Sequence, residues 1–222
     1  MEKFTTLTSV AAPLPEADVD TDIIFPARFL LLLDKSGLGK HLFHERRHQG
    51  GGETDFVLNR PPFDAARILV AGANFGSGSS REQAVWALAD FGIRCVIAPS
   101  FGEIFYNNCF KNGVLPIVLG ADDHAAAMRA AGTGQPLTVS LEELAISLAD
   151  GVKISFDLDR YRREALLLGL DEIGAILRDD TADIEAFEAR QRKAAPWLYL
   201  EQVQRDFFFD LISEAEGRME EP

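Results

Sequence analysis

Short apolar runs alternate with amphipathic segments through the middle of the chain. Residues 68–71 are four consecutive apolar residues, and residues 82–91 follow with apolar side chains at helical spacing. A strand over 94–98, a helix over 101–112 and a strand over 114–119 are predicted next, the helices ending at Gly92 and Gly113. The order β-α-β-α-β predicts parallel strands joined by helical crossovers, and hence an α/β fold.

Further elements are predicted on both sides of this unit. Strands are expected over 4–10 and 21–25, with a turn at 13–15. Residues 34–54 are either a functional loop or an insertion that carries a short helix near 40–47. Later segments predict a helix at 122–131, strands at 137–139 and 152–157, two helices over 160–193, and an amphipathic tail helix over 197–216. We therefore divide the chain into a domain over 1–195 and a C-terminal helical extension over 196–222.

The charge balance excludes several classes of partner. The chain has 22 basic and 35 acidic residues and a net charge of −13, which disfavours binding to nucleic acid or to an anionic membrane surface. Apolar runs such as 29–33 are far shorter than the roughly 20 residues that span a bilayer. The N-terminus lacks the pattern of a signal peptide, so we expect a cytoplasmic protein.

The sequence offers little for a metal centre. Its two cysteines, Cys95 and Cys109, lie inside apolar elements and are too few for the usual three or four thiolate ligands of an iron–sulfur cluster. His41, His44 and His48 would share a helical face, which leaves a metal site or a solvated loop, and the loop is favoured. We expect this chain to bind no metal itself.

The segment Gly72-Ala73-Asn74-Phe75-Gly76-Ser77-Gly78-Ser79-Ser80-Arg81-Glu82 joins a strand to a helix. Such a turn directs backbone N–H groups and a helix N-terminus at one point, which favours an anion. Arg81 adds a planar fork suited to a carboxylate, and Ser79 with Glu82 fits a capping box. Arg81 stands where a dinucleotide fingerprint needs glycine, and no P-loop is present. The segment is therefore expected to bind a small carboxylic acid. The alternative is that it is only a capped helix after a flexible turn, with an incidental surface arginine.

Alternating carboxylates precede the first proline-terminated apolar run. Asp18, Asp20 and Asp22 would point the same way on a strand. They could bind a metal, hold a charged side chain or simply be solvated. A Ca²⁺-binding loop is excluded, because the required glycine and distal glutamate are missing.

Four motifs in order give the chain a specific resemblance. They are DTDIIFP at 20–26, DFVLN at 55–59, NFGSGSSRE at 74–82, and IAPSF followed by IFY at 97–106. Over about residues 3–195 the chain resembles the family of isopropylmalate dehydratase small subunits, the detached counterpart of the swivelling fourth domain of aconitases. The resemblance implies a swivelling β/β/α fold, with the helical tail as an addition.

The resemblance also implies a reaction and a partner. The family's small subunit joins a large subunit, as a heterodimer or heterotetramer, whose [4Fe–4S] cluster acts as Lewis acid on the substrate hydroxyl. The implied reaction is the interconversion of 2-isopropylmalate and 3-isopropylmalate through an enzyme-bound alkene in leucine synthesis. The expected substrate is a small dicarboxylate, and the cluster is expected on the partner.

Site residues follow from the resemblance position by position. Ser79 matches the proton-abstracting serine, Ser80 and Arg81 the carboxylate-binding pair, and Asp22 an acidic residue lining the same site. Leu31 and Leu32 fall in the specificity loop, where relatives acting on tricarboxylic acids place an arginine. These leucines favour an alkyl substituent over a third carboxylate, unless they belong to the core.

The chain departs from the family pattern at three places. Ser77 stands where many relatives carry cysteine, Gln83 where they usually carry histidine, and the tail extends beyond about residue 196. These departures leave two alternatives open. One is a hydratase small subunit for another 2-alkylmalate, of the citramalate or dimethylmaleate type, and the other is a non-catalytic carboxylate-binding module.

Overall fold

A computed structural model describes residues 1–32, 34–78, 81–201 and 204–206. The strands are β1 (Thr6–Leu14), β2 (His48–Gln49), β3 (Gly52–Glu53), β4 (Ile68–Ala71), β5 (Cys95–Ala98), β6 (Leu115–Val118), β7 (Pro136–Ser140), β8 (Ala145–Ser147) and β9 (Lys153–Ser155). The α-helices are α1 (Thr21–Ile24), α2 (His44–Arg47), α3 (Glu82–Phe91), α4 (Glu103–Lys111), α5 (Ala121–Gly132), α6 (Arg160–Leu168) and α7 (Glu172–Ala194). Single 3₁₀ turns lie at Ala27–Phe29, Gly39–His41, Val57–Asn59, Phe63–Ala65 and Pro196–Leu198. No helix in the described ranges is long and apolar enough to cross a membrane.

The seven-stranded sheet has the order β6-β5-β4-β1-β7-β8-β9. Strands β6, β5, β4 and β1 pair in parallel, as the β-α-β-α-β pattern predicts, whereas β1, β7, β8 and β9 pair antiparallel. The α/β prediction is therefore confirmed for the middle of the chain. The carboxyl ends of β4 and β5 lie on the same edge of the sheet and lead into α3 and α4.

Strand β1 changes partner part-way along its length. Residues Thr6–Val10 pair antiparallel with β7, and Ala11–Leu14 pair parallel with β4. The strand runs through Pro13, which lies opposite Val70 of β4. Because the β7 register has ended before Pro13, the strand there has a described neighbour on one side, which is the setting in which a strand accepts proline.

Helices cover both faces of the parallel half of the sheet. One face packs β4 residues Leu69 and Ala71 against α3 residues such as Leu88. The other face packs Ile68 and Val70, with residues of α5 and α6, into a second core. Every residue of β4 and β5 is buried, which explains why these strands are continuous apolar runs rather than alternating ones.

Several sequence predictions need correction. Residues Thr21–Ile24 form the short helix α1 instead of a strand, and β1 continues to Leu14, into the predicted turn at 13–15. The helix expected near 40–47 is a 3₁₀ turn followed by the four-residue α2. Strand β8 is an addition to the predicted elements, because its three residues follow a segment rich in acidic residues.

The chain divides into a first compact unit, Met1–Ile173, and a second that begins at Gly174. In the second unit, the guanidinium carbon of Arg192 lies 4.8 Å from the ring centroid of Tyr199. Most of the predicted tail helix over 197–216 lies outside the described residues. The predicted boundary between residues 195 and 196 stays a prediction.

Candidate active site

The Gly/Ser turn after β4 is held between two neighbouring segments by backbone hydrogen bonds. The Gly76 N–H donates to the Val19 carbonyl at 2.7 Å, and the Phe75 N–H donates to the Ser100 carbonyl at 3.1 Å. The Thr21 N–H in turn donates to the Ser77 carbonyl at 3.0 Å. Residues 74–78, the start of α1 and the end of β5 therefore form one rigid corner of the molecule.

Two glycines make this corner possible. Gly76 has φ +73°, and a Cβ there would lie 2.1 Å from the ring of buried Phe105. A Cβ on Gly102 would lie 2.5 Å from the Gly76 carbonyl oxygen. Both positions therefore require glycine for close approach, and Gly76 also for its left-handed backbone.

The acidic pair in DTDIIFP has two separate roles. Asp20 is the N-cap of α1, and its carboxylate accepts from the Ile23 N–H at 2.8 Å. Asp22 lies in the first turn of α1 and accepts a hydrogen bond from the Arg81 guanidinium. The prediction that these aspartates lie on a strand was wrong. One of the three predicted alternatives, that an aspartate holds a charged side chain, is confirmed by the pairing of Asp22 with Arg81.

Helix α3 begins one residue after the arginine. Arg81 is the N-cap and Glu82 the first helical residue, so the capping box of Ser79 with Glu82 is wrong, because it would need Glu82 at the third helical position. The Glu82 carboxylate instead accepts from the Trp86 indole N–H at 3.2 Å and the Asn112 amide at 2.9 Å. Ser79 and Ser80 lie outside the described residues. Their chain neighbours Gly78 and Arg81 both line one small cavity.

The cavity beside Arg81 has a volume of about 160 Å³. It is lined by the end of the Gly/Ser turn and by the first turn of α4, from Gly102 to Phe105. Arg81 at the N-cap of α3 and Gly102 at the N-cap of α4 bring two helix N-termini to it. Two positive dipole ends and one guanidinium are features that favour a carboxylate.

Sequence reasoning missed several lining residues of this cavity. Thr21, Glu103 and Asn108 line it together with Ile104 and Phe105. The IFY motif contains two of these five residues, so the signal was present without a role attached to it. Ile104 is 49% exposed at the cavity mouth, which leaves an apolar surface next to the cationic group.

The predicted specificity leucines lie in the open. Leu31 and Leu32 are 89% and 40% exposed, so the core alternative does not hold for them. Phe29 and Leu30, just before them, pack against the core. The described lining of the Arg81 cavity includes neither leucine.

The three histidines form an aromatic cluster at the base of this loop. His41 stacks on Phe29 at a centroid distance of 4.0 Å, and His44 lies 4.8 Å from His48. Burial lowers the pKa of His41 and of His44, Lys40 lowers the pKa of His41 further, and Arg28 lowers both. The cluster packs the loop rather than standing in solvent as a freely solvated segment would.

Neither cysteine is available for ligation. Cys95 in β5 and Cys109 in α4 are completely buried, and this burial raises the pKa of both thiols. In the described part of the chain, no three His, Cys, Asp or Glu side chains are grouped to hold a metal ion. The residues of this chain therefore do not fit an iron–sulfur cluster.

A larger cavity of about 470 Å³ lies between α4 and α6. The guanidinium carbon of Arg162 lies 5.1 Å and 4.7 Å from the ring centroids of Tyr106 and Phe110, and the guanidinium donates to Asn107 Oδ1 at 2.7 Å. Arg162 is paired with Asn107, and Lys111 with Glu172 at 3.0 Å. The smaller cavity is the candidate active site, because two helix N-termini converge there.

Comparison with known proteins identifies two sequence families and many close relatives. The sequence model of the aconitase C-terminal domain matches residues 1–122, and that of the C-terminal domain of 3-isopropylmalate dehydratase small subunits matches residues 177–200. The 3-isopropylmalate dehydratase small subunits of Dinoroseobacter shibae and Paramagnetospirillum magneticum are each 54% identical to it over 89% of this chain and 100% of theirs.

A solved structure is similar over most of the chain. The crystal structure of 3-isopropylmalate dehydratase (leuD) from Methanocaldococcus jannaschii superposes with a TM-score of 0.63 at 27% identity. The superposition covers 82% of this chain and 99% of the other. Together with the aconitase C-terminal domain match, it confirms the predicted fold class.

Proposed function

Since the chain belongs to the family of 3-isopropylmalate dehydratase small subunits, we propose that it is the small subunit of a hydro-lyase that interconverts 2-isopropylmalate and 3-isopropylmalate in leucine biosynthesis. The observation that carries the proposal is Arg81, held at the N-terminus of α3 beside a cavity that also receives the N-terminus of α4. The substrate is a dicarboxylate, and this arrangement is suited to gripping one of its carboxylates.

Arg81 is prepared for that task by its partner Asp22. The Arg81 side chain is only 20% exposed, while that of Asp22 is 53% exposed. The Asp22 carboxylate therefore holds the guanidinium in place, in a position that a substrate carboxylate can approach from the open side. Asp22 then orients the Arg81 guanidinium, and the substrate carboxylate accepts hydrogen bonds from the guanidinium N–H groups that Asp22 leaves free.

Ser79 is proposed to move the proton. Dehydration takes a proton from the carbon next to the hydroxyl-bearing carbon, and the C–H electron pair forms the alkene as the hydroxyl leaves. Rehydration adds water across the same double bond in the opposite sense. A serine needs electrostatic help to act as a base, and Arg81 with the start of α3 lies two residues along the chain to give it.

The site needs a second polypeptide. Its volume of about 160 Å³ is below the roughly 300–1,000 Å³ of complete ligand pockets, and the two cysteines of this chain are fully buried. We propose that the site is closed by a large subunit, which also carries the [4Fe–4S] cluster. When bound there, the cluster would supply the Lewis acid for the leaving hydroxyl.

Substrate choice is proposed to depend on Leu31 and Leu32. Their exposure leaves apolar surface for an isopropyl group, whose burial contributes about 1–3 kcal/mol. A third carboxylate beside these leucines would be desolvated without a partner. The relatives from Dinoroseobacter shibae and Paramagnetospirillum magneticum carry the isopropylmalate name, and no observation favours citramalate, dimethylmaleate or a non-catalytic module.

The test is turnover of the reconstituted enzyme. The chain is combined with its large subunit, and alkene formation from 2-isopropylmalate is followed by ultraviolet absorbance. We expect Ser79→Ala to lower kcat by about 10²–10⁴-fold, as for loss of a general base. Arg81→Lys should raise KM, because an ammonium cannot grip a carboxylate with two parallel bonds.

Ser77→Ala is the matched control. Ser77 lies in the same turn and contributes its carbonyl to the backbone hydrogen bond with Thr21, which alanine retains. Its turnover should stay within about twofold of the parent, since Ser77 is not among the described residues that line the cavity. Normal turnover of Ser79→Ala would contradict the proposed role of the serine.

A further inference from the structure

The loop that carries the exposed leucines is anchored at both ends. We call residues 27–32 and 34–38 the leucine loop. Phe29 and Leu30 pack against the core at its start, and Leu38 is 1% exposed at its end. Leu31, between these anchors, is 89% exposed. The position of the loop's apex, residues 31–32 and 34–35, therefore depends on contacts other than burial of Leu31.

Lys35 makes two contacts from this apex to the body of the protein. Its ammonium nitrogen lies 3.3 Å from Asn112 Oδ1 and 4.6 Å from the ring centroid of Trp86. The first contact is a hydrogen bond and the second a cation–π contact, and the two come from different elements. Trp86 lies in α3, and Asn112 is the C-cap of α4.

The same two side chains hold the start of α3. The Trp86 indole and the Asn112 amide both donate to Glu82 Oε1, at 3.2 Å and 2.9 Å. The amide orientation is consistent, because the oxygen of Asn112 faces the Lys35 cation while its nitrogen faces the Glu82 anion. Glu82 directly follows Arg81 in the chain.

We call the side chains of Trp86, Asn112 and Glu82 the platform. We propose that Lys35 is a positioning residue that docks the leucine loop on this platform. The docking fixes the position of the loop leucines, which face the alkyl group, relative to Arg81, which binds a carboxylate of the same substrate. The platform fixes the loop through Lys35 and the helix start through Glu82. The inference rests on the proposed function in one respect, because it takes Leu31 to meet the substrate's alkyl group.

The expected signature is a change in KM. The alkyl group does not react, so its contact with the loop stabilises bound substrate and transition state alike. Loss of the docking contacts should therefore weaken binding and leave kcat nearly unchanged. Substrates with a smaller alkyl group should lose less, because they touch the loop less.

The kinetic experiment uses the enzyme reconstituted with its large subunit. Lys35→Met, which keeps the stem and removes the charge, should raise KM for 2-isopropylmalate about three- to tenfold. This is less than the full loss of one exposed cation–π contact and one hydrogen bond, because the loop keeps its anchors at both ends. The KM for citramalate, with methyl in place of isopropyl, should rise less. Lys35→Arg should restore both values, since a guanidinium can stack on Trp86 and donate to Asn112.

A control lysine is present nearby. Lys40 is exposed and follows in the same part of the chain, and Lys40→Met removes the same charge. Its KM should remain within about twofold of the parent if docking, rather than net charge, is responsible.

A spectroscopic experiment tests the contact without turnover. The chain has two tryptophans, so in the Trp197→Phe chain all tryptophan fluorescence comes from Trp86. Removing a cation that lies against the indole ring changes its emission. Lys35→Met should alter the emission spectrum, whereas Lys35→Arg and Lys40→Met should leave it close to that of the parent.

The two proposals fail in different ways. An unaltered enzyme that does not convert 2-isopropylmalate overturns the proposed function. An active enzyme in which Lys35→Met leaves KM and the isopropyl-to-methyl preference unchanged, or lowers kcat alone, overturns the positioning role of Lys35. Unchanged Trp86 emission in Lys35→Met overturns the contact on which that role depends.

Discussion

Replacing Gly76 by alanine tests the close packing that forms the candidate active site. The new Cβ would lie 2.1 Å from Cγ of Phe105, and the backbone there has φ +73°. A left-handed backbone costs about 1–2 kcal/mol for a residue with a side chain, and forcing extra volume into a packed core costs about 1–3 kcal/mol. Gly76→Ala should therefore lower the free energy of unfolding by about 2–5 kcal/mol.

Gly78 provides the matched comparison. It has φ +89°, but a Cβ there would find its nearest neighbour, the Asp20 Cβ, at 3.6 Å, which is ordinary contact. Gly78→Ala should therefore cost only the backbone contribution, about 1–2 kcal/mol. Both variants are measured by urea unfolding monitored by circular dichroism, and the slopes should match that of the parent.

A double-mutant cycle isolates the clash. Phe105→Ala removes the ring, so Gly76→Ala in that background should retain the backbone cost and lose the steric one. We expect a coupling energy of about 1–3 kcal/mol between the two positions. Equal costs for Gly76→Ala and Gly78→Ala, or strictly additive costs in the cycle, would refute the argument that Phe105 requires glycine at position 76.

Two further predictions concern the loop region. Because burial first, and nearby cations second, lower the pKa of His41 and His44, the folded chain binds fewer protons than the unfolded chain. The free energy of unfolding should be constant above about pH 7.5 and fall as pH drops through about 6.5, and His41→Gln with His44→Gln should flatten that fall in urea titrations. Leu31→Ala should leave the free energy of unfolding within about 0.5 kcal/mol, since Leu31 is 89% exposed, yet lower kcat/KM for 2-isopropylmalate roughly 5- to 30-fold. The opposite pattern would mean that this leucine serves the fold.

The parallel half of the sheet could be predicted because its signals are local. Residues 68–71 and 95–98 are buried on both faces, so they are apolar throughout and bounded by glycine turns. The predicted bounds of helix α3, residues 82–91, match the observed Glu82–Phe91. In these segments, propensity, spacing and end signals all favour one structure.

Segments whose form depends on distant contacts were mispredicted. Helix α1 is four residues long and is fixed by the Asp20 cap and by the Ser77 carbonyl. The alternation of aspartate with other residues predicted a strand there, because it carries no information about the contact with Ser77. Strand β1 passes through Pro13 because the neighbouring register ends before it. Neither feature is visible without the partner segment.

The candidate site could be predicted in its chemistry but not in its surroundings. The Gly/Ser turn and Arg81 follow from local sequence, and a link to Asp22 is among the options that the alternating carboxylates allow. The platform of Trp86, Asn112 and Glu82 joins residues as much as 30 positions apart. Side-chain contacts of this kind have no local pattern, so the docking of Lys35 could not be predicted from the sequence.

The divided pairing of β1 has a consequence for biosynthesis. Strand β1 is synthesised before β7, and Thr8 meets its cross-strand partner Thr138 across 130 positions of sequence. A nascent chain therefore carries an open strand edge until β7 has been synthesised, and such an edge invites pairing with other chains. Chains truncated before β7 should aggregate during synthesis, even though every segment of the candidate active site is already present.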